Sequence, residues 1–453
     1  MSTTWIRSLM PGAPSTSAHT PPGTPTAADR PSAGTLLGTS PDAAESAEEY
    51  AAAGGYRAAV DPVLLLEHIA ASGLRGRGGA GFPAAVKLRA VRDGGRAPVV
   101  VANGEEGEPG SAKDRWLMRA RPHLVLDGLA RAAAITGAVR GYVYLSDPVA
   151  GERIRLALAE RDPAVPVEVV ETGHAYVAGE ESAVVRRING GPALPTAKPP
   201  RPFERGVQDR PTLVSNVETL ARIALVAARP ERRRQIAGST LVTLSAAGGP
   251  ALLAEVPYGA TLRTLAAAQG TPDAAGALMG GLFGGLIDGG LLDLPLDPDA
   301  LKAAGTALGC GAIHFLAPGE CPVAVAADAV GHLAAESARQ CGVCIAGTAS
   351  ISDALHALTA ATAAPDALDK LARWSAGLPG RGACGLLDAA AGVAGSLLRV
   401  FPDVARAHLD SPCWACSAAP RDGGRRLAVA VPEVGPEVGP LTPSPVPALK
   451  GTP

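Results

Sequence analysis

An alternation of strand-like and helix-like segments runs through residues 98–228. Residues 98–102 are a run of apolar, mostly β-branched side chains, typical of a strand that is buried on both faces. Further patterns follow in turn: helices at 124–137, 152–161 and 217–228, and strands at 141–145 and 165–171. This alternation predicts an α/β domain built on a largely parallel sheet that is covered by helices.

Composition divides the chain into further segments. A chain of 453 residues exceeds what one hydrophobic core usually holds, so we expect two or three folded units. Residues 1–45 are rich in Ser, Thr, Pro and Ala, and Arg7 is the single basic residue of the first 28, so we expect a disordered tail rather than a transit peptide. The later predicted segments are an α/β domain at 46–235, a small sheet with one helix at 236–295, a connecting segment at 296–330, an Ala- and Leu-rich helical bundle at 331–412 and a Pro- and Gly-rich tail at 413–453.

Charge and cysteine content exclude several classes of protein. The 41 basic and 43 acidic side chains give a net charge of -2, which provides no field to attract nucleic acid or anionic lipid. The longest uncharged stretches contain Gly, Ser and Pro, so we expect a soluble protein without a spanning helix. Seven cysteines, all in the last third, form an odd, clustered set. Such a set favours metal ligation or free thiols over disulfides, and hence a reducing, cytoplasmic location.

A glycine-rich loop occupies residues 73–83 and contains a G-x-G-x-x-G match at Gly76, Gly78 and Gly81. A predicted helix precedes these glycines where the dinucleotide fingerprint requires a strand, so the match does not by itself indicate a Rossmann site. The glycines nevertheless allow backbone N–H groups to approach a phosphate or a ring, and basic residues within and after the loop add positive charge. A flexible surface turn is the alternative interpretation.

Acidic motifs follow the first predicted strand and recur later in the domain. Glu105, Glu106 and Glu108 come just after that strand, where ligands bind in open α/β sheets, and their carboxylates suit the hydrogen-bond donors of a flavin ring or a ribose. A solvated acidic loop is the alternative for this motif. A second acidic pair lies within residues 176–183, and a Ser-Asn-Val-Glu-Thr-Leu segment occupies 215–220; neither is diagnostic alone.

Together and in this order, these motifs resemble the flavin- and NADH-binding subunit of respiratory complex I and its relatives in NAD-linked hydrogenases and formate dehydrogenases. The resemblance spans residues 60–401 and implies a Rossmann-like flavin domain, a soluble-ligand-binding β-grasp domain and a helical iron–sulfur domain. It implies FMN, NAD(H) and a [4Fe-4S] cluster as cofactors. The residues that it assigns to FMN and NAD(H) are Gly73, Arg75, Gly76, Arg77, Gly78, Gly79, Ala80, Gly81, Phe82, Lys87, Asn103, Glu105, Glu106, Glu108, Tyr176, Gly179, Glu180, Glu181, Ser182, Asn216 and Thr219.

Two departures from the family concern the nicotinamide nucleotide. The family's aromatic residue after the lysine of the glycine loop is Ala90 here, and the aromatic after Lys-Pro-Pro is Arg201. If those rings stack on the nucleotide, only Phe82 remains to do so, and each lost contact weakens binding by about 1 kcal/mol. We therefore expect NADH to bind less tightly than FMN.

A third departure concerns the cluster. The family's three closely spaced cysteines correspond to Cys341, Cys344 and Gly347, and its distant cysteine corresponds to Cys384. A [4Fe-4S] cluster takes four thiolates, so we expect the fourth from the C-terminal C-x-x-C pair, with Cys413 preferred. Zinc at these cysteines and a vestigial site without metal are the alternatives.

The remaining cysteines and the histidines are expected to be structural. Cys310 and Cys321 are flanked by apolar and Gly residues, which favours a place in a core or a loop. The histidines show no ligand spacing, and no motif of a hydrolase is present.

The function implied by the resemblance is that of an NADH dehydrogenase or diaphorase, in which hydride passes from NADH to FMN and electrons pass singly to the cluster. The partners implied are other redox subunits or a ferredoxin. Two alternatives stay open at this point. One is an FMN protein that exchanges electrons with a ferredoxin without using NADH; the other is a non-enzymatic ligand- or partner-binding module whose redox centres have decayed.

Overall fold

The structure, a computed structural model, describes residues 4–9, 35–57, 60–418 and 425–435 of the chain. The strands are β1 (Thr4–Ser8), β2 (Val99–Asn103), β3 (Arg140–Leu145), β4 (Val167–Glu171), β5 (Thr212–Asn216), β6 (Ser239–Ala246), β7 (Ala251–Pro257), β8 (Gly276–Met279), β9 (Gly285–Asp288) and β10 (Ala312–Phe315). The helices are α1 (Ala47–Ala52), α2 (Pro62–Ser72), α3 (Ala84–Arg92), α4 (Lys113–Ala120), α5 (Pro122–Thr136), α6 (Pro148–Glu160), α7 (Glu181–Ile188), α8 (Val217–Ala228), α9 (Arg233–Ala237), α10 (Leu262–Gln269), α11 (Pro298–Ala303), α12 (Pro322–Ala335), α13 (Gly342–Thr359), α14 (Ala367–Gly377), α15 (Leu386–Val400), α16 (Pro402–Ala407) and α17 (Trp414–Ala418). They form a parallel sheet with helices, a mixed sheet and a helical bundle, which confirms the predicted α/β class.

The parallel sheet has the strand order β4-β3-β2-β5, and every neighbouring pair is parallel. Alternate residues of β2 face two apolar cores. Val100 and Ala102 belong to the large core that contains the buried faces of α2, α3, α5 and α8. Val99 and Val101 belong to the core on the opposite face, with Tyr142 of β3. Burial on both faces explains why the sequence of this strand is continuously apolar rather than alternating.

Helices α5 and α8 approach each other closely at Gly128. A Cβ atom at this position would lie 2.0 Å from the carbonyl oxygen of Leu220, so only glycine fits there. The close approach packs α8 tightly against α5. Because α8 begins directly after β5, its N-terminus lies at the carboxyl end of that strand.

The second sheet has six strands in the order β1-β7-β6-β10-β8-β9. The pairs β1–β7 and β6–β10 are parallel, and the other pairs are antiparallel. Its apolar core includes residues of α10, as the predicted small sheet with one helix requires. Strand β10 lies within residues 296–330, which we expected to be only a connection, so the sheet extends further along the chain than the sequence pattern indicated.

Parts of both expected tails pack against the folded domains. Strand β1 pairs with β7, and Leu36 and Leu37 are fully buried. At the other end of the chain, Leu427 is buried and the N–H group of Gly435 donates to the carbonyl oxygen of Asp42 at 2.8 Å. These segments are therefore not the disordered tails that we expected. The rest of the predicted tails, residues 1–3, 10–34, 419–424 and 436–453, lies outside the described residues.

The helical bundle consists mainly of α12, α13, α14 and α15 around one apolar core. It is joined to the six-stranded sheet at α15, where the hydroxyl of Ser396 accepts a hydrogen bond of 2.9 Å from the N–H group of Leu286 in β9. Among the helices of the described residues, none has the length and apolar character needed to cross a membrane.

A buried carboxylate, that of Glu218 in α8, connects several of these elements. Its Oε1 atom accepts hydrogen bonds from Arg222 Nε and from the N–H group of Leu241 in β6, each at 3.0 Å. Its Oε2 atom lies 3.1 Å from Lys113 Nζ of α4, and Arg77 Nε lies 3.8 Å from Oε1. Burial opposes ionisation, but the three cations outweigh it and lower the pKa of Glu218 to about 2.

We expect Glu218→Gln to destabilise the protein strongly, because the substitution leaves buried cations without their counter-charge. A carboxyl pKa lowered from 4.5 to about 2 on folding corresponds to about 3 kcal/mol of stabilisation at neutral pH. This contribution is complete above pH 4.5 and is lost as the pH falls towards 2. Chemical denaturation at several pH values measures it; the free energies of unfolding of the wild type and the variant should converge as the solution becomes more acid.

The matched control is Glu231→Gln, which changes an exposed carboxylate shortly after α8. Its free energy of unfolding should stay within about 0.5 kcal/mol of the wild type. Equal stability of the Glu218 and Glu231 variants at pH 7 would contradict the role assigned to Glu218.

Candidate functional site

The predicted motifs converge at the carboxyl edge of the parallel sheet. Asn103 at the end of β2 and Asn216 at the end of β5 are directly paired in the register of the two strands. Asn103 Nδ2 donates to the carbonyl oxygen of Gly179 at 2.9 Å, which brings the 176–183 motif to this edge. A Cβ atom on Gly78 would lie 3.3 Å from Asn216 Cβ, so the glycine loop covers the end of β5. The carboxyl edge is where parallel sheets bind ligands.

The glycine loop leaves α2 at Gly73, which has a φ of 73°, and closes on itself through a 2.8 Å hydrogen bond from Gly76 N to the carbonyl oxygen of Phe82. Positive φ values of 112° at Gly79 and 61° at Gly81 turn the chain in a way that other residues rarely allow. Residues 78–80 are exposed, and their N–H groups find no hydrogen-bond partner within the described part of the chain. The loop therefore presents a row of free backbone donors.

Arg77 does not serve as the free cation that we expected. Its guanidinium group is buried and donates to the carbonyl oxygens of Ala237 and Ser239 at 2.6 and 2.8 Å. Arg75 forms an exposed ion pair of 2.9 Å with Asp299. Both side chains are thus used within the protein, and what Arg77 contributes to the site is the position of its backbone.

Thr219 supports the glycine loop from α8. Its hydroxyl oxygen accepts a hydrogen bond of 2.8 Å from the N–H group of Arg77. Asn216 Nδ2 donates to the Asp114 carboxylate at 2.7 Å, and its Oδ1 atom caps α8 by accepting from the N–H group of Glu218. The structure therefore places both residues beneath the loop; Thr219 holds its backbone by a hydrogen bond, and Asn216 packs under Gly78.

Glu105 is a buried carboxylate with unused hydrogen-bonding capacity. It is 7% exposed, and neither of its oxygens has a hydrogen-bond partner among the described residues. The imidazole Nδ1 of His174 lies 3.4 Å from Oε1, and this contact with the carboxylate raises the pKa of His174. Buried polar atoms without partners are rare in folded proteins. Glu105 therefore has the character of a ligand-binding group.

Glu106, in contrast, is used inside the protein. Its Oε1 atom accepts a hydrogen bond from the Ser111 hydroxyl and one of 3.1 Å from Asp114 N, and its Oε2 atom accepts from the N–H group and Nε of Arg115 at 3.1 and 3.2 Å. These bonds satisfy the donors at the N-terminus of α4. The structure thus gives Glu106 a capping role, where we expected a flavin contact.

Glu108 reaches towards the six-stranded sheet. Its Oε1 atom accepts hydrogen bonds from the Tyr176 hydroxyl at 2.8 Å and from the N–H group of Leu282 at 3.1 Å. Burial raises the pKa of Glu108 to about 7, against the opposing effect of these two donors. Tyr176 and Glu108 therefore join the parallel-sheet domain to the turn between β8 and β9, and the tyrosine side chain is directed there.

Two lysines neutralise the second acidic pair. Lys198 Nζ contacts a carboxylate oxygen of Glu180, and Lys87 and Lys198 each lie 3.4 Å from Glu181. Burial would raise the pKa of Glu181, but the two ammonium groups lower it overall. Glu180 also caps α7 by accepting a hydrogen bond of 2.9 Å from Ser182 N. We did not predict a role for Lys198; its place in the Lys-Pro-Pro passage was the available signal.

The aromatic side chain of the glycine loop is available to solvent. The ring of Phe82 is 52% exposed. Ala90 is half-buried in α3 and Arg201 is exposed, so the two positions at which the family has rings carry none here. Phe82 is therefore the one residue of these three that provides an aromatic ring for a nucleotide base.

Three of the predicted cluster ligands lie at the starts of two helices, and the pKa of the Cys344 thiol is raised by burial and further by Cys384 and Cys341. Cys341 is the residue before α13, Cys344 lies in its first turn, and Cys384 precedes α15. Burial raises the pKa of the Cys384 thiol, and the neighbouring Glu180 and Cys341 add to this effect. Helix N-termini favour negatively charged groups such as thiolates.

The position of the family's third closely spaced cysteine is filled by apolar atoms. Gly347 is buried in α13, and a Cβ atom there would lie 3.0 Å from a methyl group of Leu387 and 3.1 Å from one of Leu378. The leucine side chains thus occupy the space that a further thiolate would need.

Cys413, the fourth ligand that we predicted, lies in a different group. Its sulfur atom is within 4.8 Å of the ligand atoms of Cys321, His408 and Cys416. Cys321 and His408 were missed by the sequence analysis, which assigned them structural roles. The spacing His-x4-Cys-x2-Cys at residues 408–416 was the signal that could have identified this group.

Comparisons with known proteins agree with this geometry. The family model of the Nuo51 FMN-binding domain matches residues 69–225, and that of the NADH-ubiquinone oxidoreductase-F iron-sulfur binding region matches residues 324–408. The F 2 subunit of NADH-quinone oxidoreductase from Rhizobium meliloti (strain 1021) is 31% identical over 397 residues, which cover 80% of this chain and 94% of that protein. The HndC subunit of the NADP-reducing hydrogenase from Solidesulfovibrio fructosivorans is 29% identical, and the match covers 83% of both chains.

Solved structures show the same relationship. A chain in the crystal structure of an air-oxidized NAD+-reducing [NiFe]-hydrogenase has a TM-score of 0.72 and 27% identity, with 89% of this chain and 72% of that chain covered. A chain in the H2-reduced form has a TM-score of 0.69 and 29% identity; the match covers 78% of this chain and 64% of that one, which is less than two thirds of its length. The resemblance drawn from the sequence motifs is confirmed: the chain belongs to the family of NADH-quinone oxidoreductase F subunits, oxidoreductases with an FMN-binding domain and a 4Fe-4S-binding region.

Proposed function

We propose that this chain binds FMN between the glycine loop and Glu105 and accepts electrons from NADH there. The observation that carries the proposal is the pair of unused hydrogen-bonding surfaces at the carboxyl edge of the parallel sheet. The free N–H groups of residues 78–80 are donors, and Glu105 provides an acceptor in Oε2, since Oε1 lies 3.4 Å from His174 Nδ1. A flavin nucleotide offers both kinds of partner, because its phosphate accepts hydrogen bonds and its ring and ribityl chain donate them. Bound FMN would supply the chemistry of taking up a hydride and releasing its electrons one at a time.

The side chains around this site position the flavin nucleotide and do not react with it. Thr219 holds the glycine loop against α8, Asn216 caps the start of α8, and Asn103 ties the acidic loop to Gly179. The ion-paired Glu181 sits opposite Lys87 and sets a nearly neutral local charge. No proton transfer by a protein group is needed for hydride transfer itself, so we assign these residues to binding and orientation.

We propose that Cys341, Cys344 and Cys384 hold the iron–sulfur cluster. Glu180 supports this. Burial raises the pKa of the Cys384 thiol, and the nearby Glu180 carboxylate raises it further. Because Glu180 caps α7 at the proposed flavin site, the cysteines lie close to that site. Three thiolates are one fewer than the usual four. In this proposal these three cysteines leave one iron of the cluster without a cysteine ligand. Cys413 belongs to the separate group with Cys321, His408 and Cys416.

The proposed location is the cytoplasm, and the proposed partners are redox subunits or a ferredoxin that receive the electrons. None of the seven cysteines forms a disulfide in the structure, which suits a reducing compartment. The named hydrogenases and NADH-quinone oxidoreductases among the relatives support partners of this kind.

A second candidate function is electron exchange between FMN and a ferredoxin without NADH. The residues that favour it are Ala90 and Arg201, which provide no ring for the nicotinamide nucleotide. The exposed ring of Phe82 favours the first function. The two candidates differ in whether NADH bleaches the flavin absorption of the purified protein under anaerobic conditions.

Gly78→Leu should weaken FMN binding by at least about ten-fold, equivalent to about 1.4 kcal/mol, because the side chain would occupy the space above Asn216. Flavin released by denaturing the purified protein, measured by fluorescence and expressed per chain, tests this. The control is Gly392→Leu, an exposed position on α15 where a Cβ atom meets nothing within 4 Å. A Gly78 variant with a full complement of FMN would show that the flavin binds elsewhere.

Phe82→Ala should weaken NADH binding about five-fold, equivalent to about 1 kcal/mol, while the FMN content stays unchanged. The measurement is the rate of anaerobic flavin bleaching in a stopped-flow instrument as a function of NADH concentration. Phe82→Tyr keeps the ring and should behave like the wild type. An unchanged NADH dependence in Phe82→Ala would remove this residue from the nucleotide site.

A further inference from the structure

We propose that Cys321, His408, Cys413 and Cys416 bind one zinc ion at a structural site separate from the iron–sulfur cluster. The four ligand atoms lie within 4.8 Å of one another, although Cys321 is far from the other three along the chain. Three sulfurs and one imidazole nitrogen form a common ligand set for structural zinc, and the C-x-x-C spacing of Cys413 and Cys416 is typical of such sites.

The distances within the group match those of a single tetrahedral ion. His408 Nε2 lies 3.4 Å from the sulfur of Cys321 and 3.5 Å from that of Cys416. With bonds of about 2.3 Å to sulfur and 2.0–2.1 Å to nitrogen, the edge of a zinc tetrahedron between these atoms is roughly 3.5 Å long. A cluster of four irons holds its thiolates further apart than one ion does, so this group is too compact for a [4Fe-4S] cluster.

The imidazole of His408 is already oriented for metal binding. Its Nδ1 atom donates a hydrogen bond of 2.8 Å to the carbonyl oxygen of Val404, so the lone pair of the neutral ring is on Nε2 and faces the sulfurs. A backbone carbonyl that holds the second nitrogen of a metal-bound histidine is a recurrent arrangement. His408 is 2% exposed, and within the described part of the chain its Nε2 atom contacts the sulfurs of Cys321 and Cys416.

The group joins three elements of the bundle. Cys321 stands immediately before α12, His408 immediately after α16, and Cys413 and Cys416 at the start of and within α17. Because all four coordination positions come from the protein, a metal here would have no open position for substrate, as in structural rather than catalytic zinc sites. Zinc would thus fasten α17 to the start of α12.

The test is the metal content of the full-length protein, purified without a metal-affinity step and dialysed against EDTA. We expect one zinc ion per chain by mass spectrometry. His408→Ala and Cys416→Ser should each lose most of the zinc and keep the FMN and iron. His408→Cys should retain zinc, because four thiolates also form a structural site. Cys310→Ser is the matched control. Cys310 belongs neither to the zinc group nor to the cluster cysteines, so this variant should retain both metals.

Two further results separate this site from the cluster. Cys384→Ser should lose iron and keep zinc, whereas Cys413→Ser should lose zinc and keep iron. Protein grown with cobalt should show the visible bands of tetrahedral cobalt–thiolate at wavelengths beyond the flavin absorption, and this measurement on the wild type does not depend on whether a variant folds. Any of three results would overturn the proposal. They are wild-type protein without zinc and without cobalt bands, a disulfide within the group, and a Cys413→Ser variant that loses iron and keeps zinc.

Discussion

The charge on Glu218 is the point on which the arrangement of domains and site depends. Its carboxylate is completely buried, and Lys113, Arg222 and Arg77 converge on it from three different elements. A buried ion group of this kind tolerates only one geometry, because every misplaced partner leaves an uncompensated charge in a medium of low dielectric constant. The glycine loop, α4, α8 and β6 therefore take fixed relative positions.

This rigidity is useful where a cofactor has to be held in one position. The glycine loop is held from below by Thr219 and from the side by the guanidinium of Arg77. Backbone donors that are already positioned lose little conformational entropy when they bind a ligand. Ion pairs inside the protein thus position the glycine loop. The residues that face the open site make few contacts with the rest of the protein.

Local patterns in the sequence predicted the parallel domain well. Helix α8 was predicted at residues 217–228 and observed at Val217–Ala228, because its pattern and boundaries are local. Strands β1 and β10 were missed as members of the second sheet, since their partners are distant and no local signal specifies a partner. That the motifs meet in one site was implied by the resemblance to the family, and only the motif after β2 was placed at a strand end from the sequence itself. Which of two adjacent buried carboxylates caps α4, Glu106 rather than Glu105, depends on packing that the sequence does not display. Cys321 was missed for the same reason as β1: its neighbours come from far along the chain.

The pairing of β1 with β7 has a consequence for how the protein is made. Residues Thr4–Ser8 leave the ribosome long before Ala251–Pro257, their hydrogen-bonding partners, have been synthesised. A parallel pair with such a large sequence separation forms slowly and late, because loop closure must precede any gain from the contact. During synthesis β1 therefore lacks its partner strand, and the six-stranded sheet can be completed only after the whole parallel domain, which lies between β1 and β7 in the chain, has been synthesised.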